Sequence, residues 1–384
     1  MEIRTIKEQF NPEIALVVLC CRVFLKTADV ETLRTFIEDN NINWDQVYHL
    51  CRVHRIRPII FNVLFQVKEL IDAATFQLYR SFCINFSSRV FSRKTECDRI
   101  ISLFQQQGIN AHQYKGLDFS TLIYKDMSLR ESADIDVIIG QEDLSGIIDI
   151  MENEGYKMKN KQFYTRFPAQ FLKLHKDVSF DKEGVFGGSF NFEFHFRPTK
   201  FRMNVDISFR ELLGDDYLSP ERRYDYNDYY KLMIINNGLS DFYPTLRSLP
   251  DLVFIEGGEH ETTAELKKFD LLRGVMSAHL FKLPVAASDD PHLNDTSTLL
   301  LNELLSKQQL ETSYLLRNAY LGIKFSTGIR NKCNSLLKSF RAIMTPRNNE
   351  ISHLQLPFYN LYYITRLYRL IARRVVPPHS KYKK

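Results

Sequence analysis

The sequence lacks several features that would assign a protein class at once. Its longest helical apolar segment near the start, residues 14–21, covers only about two helical turns, which is too short to cross a bilayer. No basic leader precedes that segment. The six cysteines, five of which lie before residue 100, follow neither a disulfide framework nor a metal-site spacing. We therefore expect reduced thiols, a cytoplasmic location and no membrane partner.

Common catalytic signatures are also missing from the sequence. It contains no G-x-G-x-x-G, no G-x-x-x-x-G-K, no G-x-S-x-G and no H-E-x-x-H. The charge is almost balanced, since 51 Lys and Arg face 46 Asp and Glu, and a net +5 is too small to indicate a nucleic-acid partner. A hydrophobic content of 44% is that of an ordinary soluble protein with a sizeable core.

The most informative segment that is present, residues 133–139, alternates two acids with apolar residues. Successive side chains on a strand point to opposite faces, so Asp134 and Asp136 share one face while Ile135 and Val137 point into a core. Two neighbouring carboxylates on a half-buried strand need a neutralising partner. A hard cation with oxygen ligands, Mg²⁺ or Mn²⁺, fits this need and often binds substrate phosphates too. The simpler alternative is a solvated strand end.

A phosphate-binding arrangement is predicted just before these acids. Residues 109–114 have the pattern of a short strand, and residues 117–124 have helical apolar spacing. Gly116 at the junction lets the backbone approach a phosphate, and the following helix offers its first N–H groups to an anion. Lys115 and Arg130 add positive charge on either side. The pattern predicts that Lys115, Gly116 and Arg130 bind the phosphates of a nucleotide.

Several of these stretches resemble a known family. The sequences YKGLDFSTLIY at 114–124 and LRESADIDVII at 129–139 are similar to the signature of bacterial, uncharacterised nucleotidyltransferase-like proteins, which belong to the polymerase β-type nucleotidyltransferase superfamily. NFEFHFR at 191–197 and LRSLPDLVF at 246–254 are similar to further family motifs, and the resemblance spans about residues 40–285. The usual Gly-Ser pair after the first strand is replaced here by Lys-Gly.

A third carboxylate is needed for the activity that this resemblance implies. Residues 190–196 alternate, so Glu193 and His195 share one face of a strand that we predict to pair with residues 170–180 across a turn at 181–189. Laid beside the strand of Asp134 and Asp136, Glu193 would complete the metal site or accept a proton. His195 would orient the acceptor or belong to a hydrogen-bond network. The simpler alternative is an exposed hairpin face.

The resemblance implies nucleotidyl transfer that depends on Mg²⁺ or Mn²⁺. ATP is the expected donor and pyrophosphate the leaving group. The acceptor would be a small molecule, a sugar, a peptide or a protein side chain. Two alternatives stay open: a catalytically weak nucleotide-binding module that regulates a partner, and an enzyme or binder directed to nucleic acid. We expect neither nucleic acid nor a membrane as a partner.

The fold class predicted from these patterns is α/β (α+β). A small mixed β-sheet core at residues 105–204 would lie between a helical N-terminal region, 1–104, and a helical C-terminal region, 205–384, that ends in a basic tail. Residues 358–376 combine tyrosines with arginines. That segment could be a basic helix that docks on a membrane or RNA, but packing of its aromatic side on the core is the favoured interpretation.

Overall fold

The structure is a computed structural model, and it describes most of the chain. The described residues are 1–184, 188–201, 203, 205–255, 263–284, 290–307, 315–326 and 328–375. The predicted basic tail after residue 375 and part of the predicted hairpin turn, 185–187, lie outside the described residues. Within the described part, none of the helices has both the length and the apolar character that a bilayer crossing requires.

Helices fill the chain before the sheet, and several begin at a side chain that caps them. The carboxamide oxygen of Asn43 accepts the N–H of Gln46, and Arg55 ends the same helix in the left-handed conformation, with φ of 57°. This helix runs from Trp44 to His54, within the region 1–104 that the sequence predicts to be helical. The helices are α1 (Ile3–Gln9), α2 (Pro12–Phe24), α3 (Val30–Glu38), α4 (Trp44–His54), α5 (Arg57–Leu64), a 3₁₀ helix (Phe65–Leu70) and α6 (Ala73–Gln106).

One mixed sheet of five strands forms the centre of the described chain. Its strands are β1 (Ala111–Gln113), β2 (Ile135–Ile139), β3 (Lys157–Met158), β4 (Asp177–Glu183) and β5 (Ser189–His195). Their spatial order is β1-β2-β5-β4-β3, with β2 and β5 parallel and every other pair antiparallel. Since β2 and β5 are neighbours, residues that are far apart in sequence meet at the middle of the sheet.

The remaining helices connect the strands or follow the sheet. Those between strands are α7 (Leu117–Tyr124), α8 (Leu144–Asn153), α9 (Lys161–Arg166) and α10 (Pro168–Leu174). After the sheet come α11 (Phe209–Leu213), α12 (Tyr226–Met233), a π-helix (Ile234–Leu239), a 3₁₀ helix (Leu246–Ser248), α13 (Pro250–Val253), α14 (Ala264–Phe281), α15 (Pro291–Leu305), α16 (Leu315–Phe325), α17 (Ile329–Met344), α18 (Asn348–Leu354) and α19 (Leu361–Val375). The predicted fold class, a small mixed sheet flanked by helices, is confirmed.

The predicted hairpin exists, but its first strand is shorter than predicted. Strand β4 begins at Asp177, not at residue 170, because Pro168 occupies the first turn of α10, where its fixed φ favours a helix. The register pairs Asp177 with His195 and Ser179 with Glu193. This register places Asp177 beside His195 of β5.

The sheet lies between two hydrophobic cores. On one face, Phe192 and Phe194 are fully buried in the core that includes residues of α6 and α8. On the other face, Ile138 joins a larger core that contains Leu16 of α2 and Leu280 of α14. The N-terminal and C-terminal helices thus share one core. The division at residues 104 and 204 remains a prediction.

A buried histidine at the end of α4 predicts a loss of stability in acid. His54 is fully buried, its Nδ1 accepts the N–H of Leu246, and burial followed by the charge of Lys307 lowers its pKa from 6.5 to about 3. Because the unfolded chain binds this proton more readily, stability falls as the pH drops below about 6.5. Between pH 6.5 and 4.5 we expect a loss of roughly 2–3 kcal/mol, measurable by urea unfolding across this pH range.

The matched control for this prediction is His54→Asn, which keeps an acceptor near Leu246 but cannot titrate. Its stability should depend less steeply on pH below 6.5 than that of the wild type. Equal slopes for the two proteins would contradict the assignment of the acid sensitivity to His54.

Candidate functional site

Polar side chains from neighbouring strands form a row on one face of the sheet. Strand β5 places Asn191, Glu193 and His195 on the same side because its side chains alternate. The parallel pairing with β2 sets Asp136 directly opposite Glu193. The carboxylates that the sequence predicts to act together are therefore neighbours in the sheet, although 57 residues separate them in the chain.

Three of these side chains converge closely enough to hold a metal ion. Asp136, Glu193 and His195 each offer a ligand atom, and the three atoms lie within 4.8 Å of one another. The Nε2 atom of His195 lies 2.9 Å from Oδ1 of Asp136 and 3.6 Å from Oε2 of Glu193. Two carboxylates and one imidazole form a donor set that fits a divalent cation such as Mn²⁺ or Mg²⁺.

Asp136 is buried and charged. Burial opposes ionisation, but the positive charge of Lys115 and the hydrogen bond from His195 hold the pKa of Asp136 well below its usual range. Nζ of Lys115 donates to Oδ1 of Asp136 over 3.1 Å, and burial lowers the pKa of Lys115. In the described structure, the ammonium group of Lys115 balances the negative charge of Asp136 on the side where a cation would bind.

Glu193 has the opposite electrostatic environment. Burial, followed by the negative charges of Asp136, Asp177 and Asp134, raises its pKa from 4.5 to about 7. A carboxyl group with such a pKa exchanges its proton near neutral pH, which is the property of a general acid or base. The approach of a cation would favour its ionised form.

His195 is neutral near pH 7. Its full burial, together with the charges of Lys176 and Lys115, lowers its pKa to about 4. The contact with Asp136 is therefore a hydrogen bond from a neutral imidazole, with the proton on Nε2 and with Nδ1 free to accept from Lys176 at 3.5 Å. To bind a metal through Nε2, the ring must move its proton to Nδ1, where Asp177 lies 3.6 Å away.

Asp134 stands at the end of the row and outside the group of three. It directly precedes β2, it is partly exposed, and its Oδ1 accepts a hydrogen bond of 2.5 Å from Nδ2 of Asn191. Its negative charge nevertheless contributes to the raised pKa of Glu193. The structure thus brings Asp136, Glu193, His195 and Lys115 together and places Asp134 beside them.

Gly116, which the sequence predicts to bind phosphate, has a backbone conformation that favours glycine. It precedes α7 with φ of 63° and ψ of −105°. A Cβ atom built at this position would lie 3.2 Å from Oγ of Ser132 and 3.5 Å from the carbonyl oxygen of Asp134. The glycine therefore lets the segment before α7 pass close to the segment that leads into β2.

We expect a Gly116→Ala variant to be less stable by about 1–3 kcal/mol, because an L side chain is strained at this φ and crowds Ser132. Urea unfolding measures the change. Gly322→Ala is the matched control, since Gly322 lies within α16 and a Cβ atom there would meet nothing within 4 Å. That variant should be as stable as the wild type or slightly more stable. A Gly116→Ala variant with unchanged stability would contradict the strained geometry.

Arg130 has a different environment from the one that the sequence suggests. It is 4% exposed, and its Nε donates to Oδ2 of Asp251 over 2.9 Å. Tyr124 donates to the other oxygen of the same carboxylate. The geometry places Arg130 in a buried ion pair with the segment after the sheet and not beside Asp136.

Sequence reasoning missed two polar residues of the row, Lys176 and Asp177. Asp177 lies inside the predicted strand 170–180, but its pairing with His195 depends on where the turn closes, and β4 runs on to Glu183 instead of ending at residue 180. Asn191 follows from the alternation that places Glu193 and His195 on one face. Lys176 precedes β4, and no local pattern marks it.

Two cavities adjoin the opposite ends of the row. One, of about 700 Å³, is lined by Asn191, by the cations Arg93, Lys157, Lys159 and Lys182, and by the acids Asp134, Asp181 and Glu183. The other, of about 610 Å³, begins two residues after His195 and is lined by Lys173, Arg197, Lys200, Lys338 and Arg341, with Asp206 as the acid among its lining residues. Both volumes are in the range of small-molecule sites.

Comparison with known protein families agrees with this geometry. Residues 40–226 match the model of a family described as an uncharacterised nucleotidyltransferase. This region contains every residue of the row and three of the four motifs on which the resemblance rests, whereas the motif at 246–254 lies beyond it. No curated protein and no solved structure gives a significant match. The resemblance to an uncharacterised nucleotidyltransferase family is confirmed over residues 40–226, a shorter span than the predicted 40–285, and the family supports an enzyme that transfers a nucleotidyl group.

Proposed function

Because residues 40–226 belong to a nucleotidyltransferase family, we propose that this chain transfers a nucleotidyl group, with ATP as the expected donor, to an acceptor hydroxyl. The observation that carries the proposal is the convergence of Asp136, Glu193 and His195 on one sheet face within that region. Carboxylate clusters of this kind hold the cations that polymerase-type chemistry needs.

The metal ligands would be Asp136, Glu193 and His195, with Asp134 next to them. When bound there, Mg²⁺ or Mn²⁺ would neutralise the donor phosphates. The imidazole ligand is the reason to test Mn²⁺ beside Mg²⁺, because imidazole is a softer donor than the oxygens that Mg²⁺ prefers. Asp177 would receive the N–H of His195 and so fix the ring in the ligating tautomer.

In the transfer step, the acceptor oxygen forms a bond to the α-phosphorus of the donor. The bond from that phosphorus to the bridging oxygen breaks, and pyrophosphate leaves with both electrons of this bond. The acceptor hydroxyl must lose its proton. If Asp136 and His195 hold the cation without Glu193, the carboxylate of Glu193 is our candidate to accept this proton, because its pKa of about 7 suits proton transfer near neutral pH.

The two cavities suggest where the substrates bind. The donor triphosphate would occupy the 700 Å³ cavity, because that cavity adjoins Asp134 and its four cations outnumber its three acids. Arg93 links that cavity to the Gly116 loop, because its Nη1 donates to the carbonyl oxygen of Ser132 over 2.7 Å. The acceptor would enter from the Arg197 side, where five cations and one acid favour a negatively charged molecule.

A second candidate function is a catalytically weak nucleotide-binding module. The specific observation in its favour is the ammonium group of Lys115, which lies 3.1 Å from Asp136 and already compensates this buried carboxylate. If the lysine replaces the metal, nucleotide binding needs no divalent cation. The two candidates therefore differ in metal dependence.

Calorimetric titration of ATP, GTP, CTP and UTP tests the proposal, with Mg²⁺, Mn²⁺ or EDTA present in separate runs. An enzyme should bind at least one of these nucleotides only with metal and release pyrophosphate when a cell extract supplies acceptors. Binding that is equal in EDTA, with no pyrophosphate released, would favour the second candidate. No binding of any of the four would overturn both.

A further inference from the structure

Helix α17 exposes an apolar stripe that nothing in the described structure covers. Ile329, Leu336, Leu337 and Phe340 recur at helical spacing, and their exposed fractions are 83%, 58%, 55% and 60%. Ser335, on the opposite side, is buried. An isolated exposed leucine is ordinary, but a continuous stripe of four such side chains marks a binding surface.

Helix α19 repeats this arrangement. Its inner side packs on the sheet domain, where Tyr362 is fully buried and bonded to α18, and Arg366 is 4% exposed. On its outer side, Ile364, Leu367, Tyr368 and Ile371 follow i, i+3, i+4, i+7 spacing and are 48–71% exposed. The sequence analysis favoured packing of the aromatic side on the core, and this describes the inner side of α19. The outer side has no packing partner in the described structure.

The two helices adjoin each other. Nε of Arg366 in α19 donates to the carbonyl oxygen of Ile343 in the last turn of α17 over 3.0 Å. Phe340 and Tyr363, one from each helix, line the same cavity. The two stripes thus belong to neighbouring elements, which we call the α17–α19 face.

The charge of this segment is strongly one-sided. Residues 329–375 contain nine Lys and Arg and a single acid, Glu350. Glu350 is 2% exposed and lies 3.4 Å from Arg366 and 3.6 Å from Arg369, and its single negative charge offsets only part of the nine positive charges. Outside this segment the chain carries 42 Lys and Arg against 45 Asp and Glu. Residues 329–375 therefore combine an excess of positive charge with exposed apolar side chains.

We propose that the α17–α19 face binds a membrane surface that contains anionic lipid. Helices with aliphatic and aromatic side chains on one side and Lys or Arg beside them insert the apolar groups at the headgroup level while the cations meet lipid phosphates. Such binding would involve both the exposed apolar side chains and the positive charge of the face. The attachment is peripheral, and it does not depend on the proposed nucleotidyl transfer.

Charge complementarity distinguishes this occupant from the alternatives. A second copy of the chain would set one cationic face against another, which opposes dimerisation through it. RNA would use the cations but leave the aliphatic stripes in water. An anionic bilayer supplies both an apolar phase and negative charge in one partner.

Sedimentation with lipid vesicles tests the proposal on the full chain. We expect the protein to sediment with vesicles of phosphatidylcholine and phosphatidylglycerol, to stay in solution with phosphatidylcholine alone, and to be released by high salt. A Leu336→Ser, Leu367→Ser, Ile371→Ser variant should lower the partition coefficient at least about tenfold. Arg330→Glu with Lys332→Glu should lower it as well.

The matched control is Ile84→Ser with Phe91→Ser, which removes two side chains of α6 that are 59% and 60% exposed, outside the cationic segment. This variant should partition like the wild type, and circular dichroism and thermal melting should show that every variant folds. Failure to bind anionic vesicles would overturn the proposal. The proposal would also be overturned if light scattering showed a dimer that the apolar substitutions dissociate. Binding to RNA that the apolar substitutions leave unchanged would likewise contradict it.

Discussion

An Asp136→Asn variant is expected to bind Mn²⁺ at least about 100-fold more weakly than the wild type and to release no measurable pyrophosphate. Asp136 is at the centre of the group of three, where its carboxylate meets both His195 and Lys115. The amide removes the negative charge that a cation would need and leaves the buried ammonium of Lys115 without its counter-ion. Titration of Mn²⁺ followed by paramagnetic resonance measures the affinity.

The control for this result is Asp134→Asn, which changes the same atoms on the partly exposed residue outside the group of three. We expect a smaller loss for it, below about tenfold. Near-UV circular dichroism should show that both variants retain their tertiary packing. Equal losses for the two variants would mean that the site is centred between both aspartates. Unchanged Mn²⁺ affinity in Asp136→Asn would contradict the proposed metal site.

Lys115→Met separates the two candidate functions in the same assay. If Lys115 only balances the negative charge of Asp136 when no cation is bound, its removal should strengthen Mn²⁺ binding, because Mn²⁺ no longer competes with an ammonium group. If Lys115 replaces the metal, the variant should lose nucleotide affinity in the presence of EDTA. The first outcome is a gain in Mn²⁺ affinity and the second a loss of metal-independent nucleotide affinity, so the same variant distinguishes the two candidates.

The local part of this site could be predicted from the sequence. Alternation with a period of two places Asp134 and Asp136 on one face of a strand, and it does the same for Glu193 and His195. The structure shows Ile135 and Val137 fully buried on the opposite side, as the pattern indicates. These arguments need only neighbouring residues, and for that reason they succeed.

The pairing between the two strands could not be derived in this way. No local pattern specifies that Asp136 lies opposite Glu193, because the parallel register of β2 and β5 depends on the packing of both sheet faces. The family resemblance suggested it. The roles of the residues in the site remain predictions, since the structure shows their arrangement and not their activity.

Arg130 shows what a charge pattern alone does not reveal. In the sequence it stands four residues before Asp134, and a phosphate-binding role follows from that proximity. Its partner in the structure, Asp251, is 121 residues away, in a helical region to which the sequence assigns no electrostatic role. A buried carboxylate that is distant in sequence can capture a cation, and only tertiary packing reveals it.

The ion pair between Arg130 and Asp251 should contribute strongly to the free energy of unfolding. We expect Asp251→Ala to lower the free energy of unfolding by about 3–5 kcal/mol. The carboxylate is 0% exposed, and it accepts from Nε of Arg130 over 2.9 Å and from the hydroxyl of Tyr124 over 3.0 Å. Its removal leaves a buried guanidinium without a counter-ion and a buried hydroxyl without an acceptor. Urea unfolding at neutral pH measures the change.

Arg130→Met tests both the ion pair and the role that the sequence suggested for this arginine. It should destabilise the protein to a similar extent, because the carboxylate of Asp251 is then the uncompensated charge. The double variant Arg130→Met, Asp251→Leu should recover much of the loss, since no buried charge remains. Nucleotide affinity of the folded Arg130→Met protein should stay within about threefold of the wild type, because the side chain is engaged with Asp251. A stable Arg130→Met protein that loses nucleotide affinity would reverse this assignment and return Arg130 to the phosphate site.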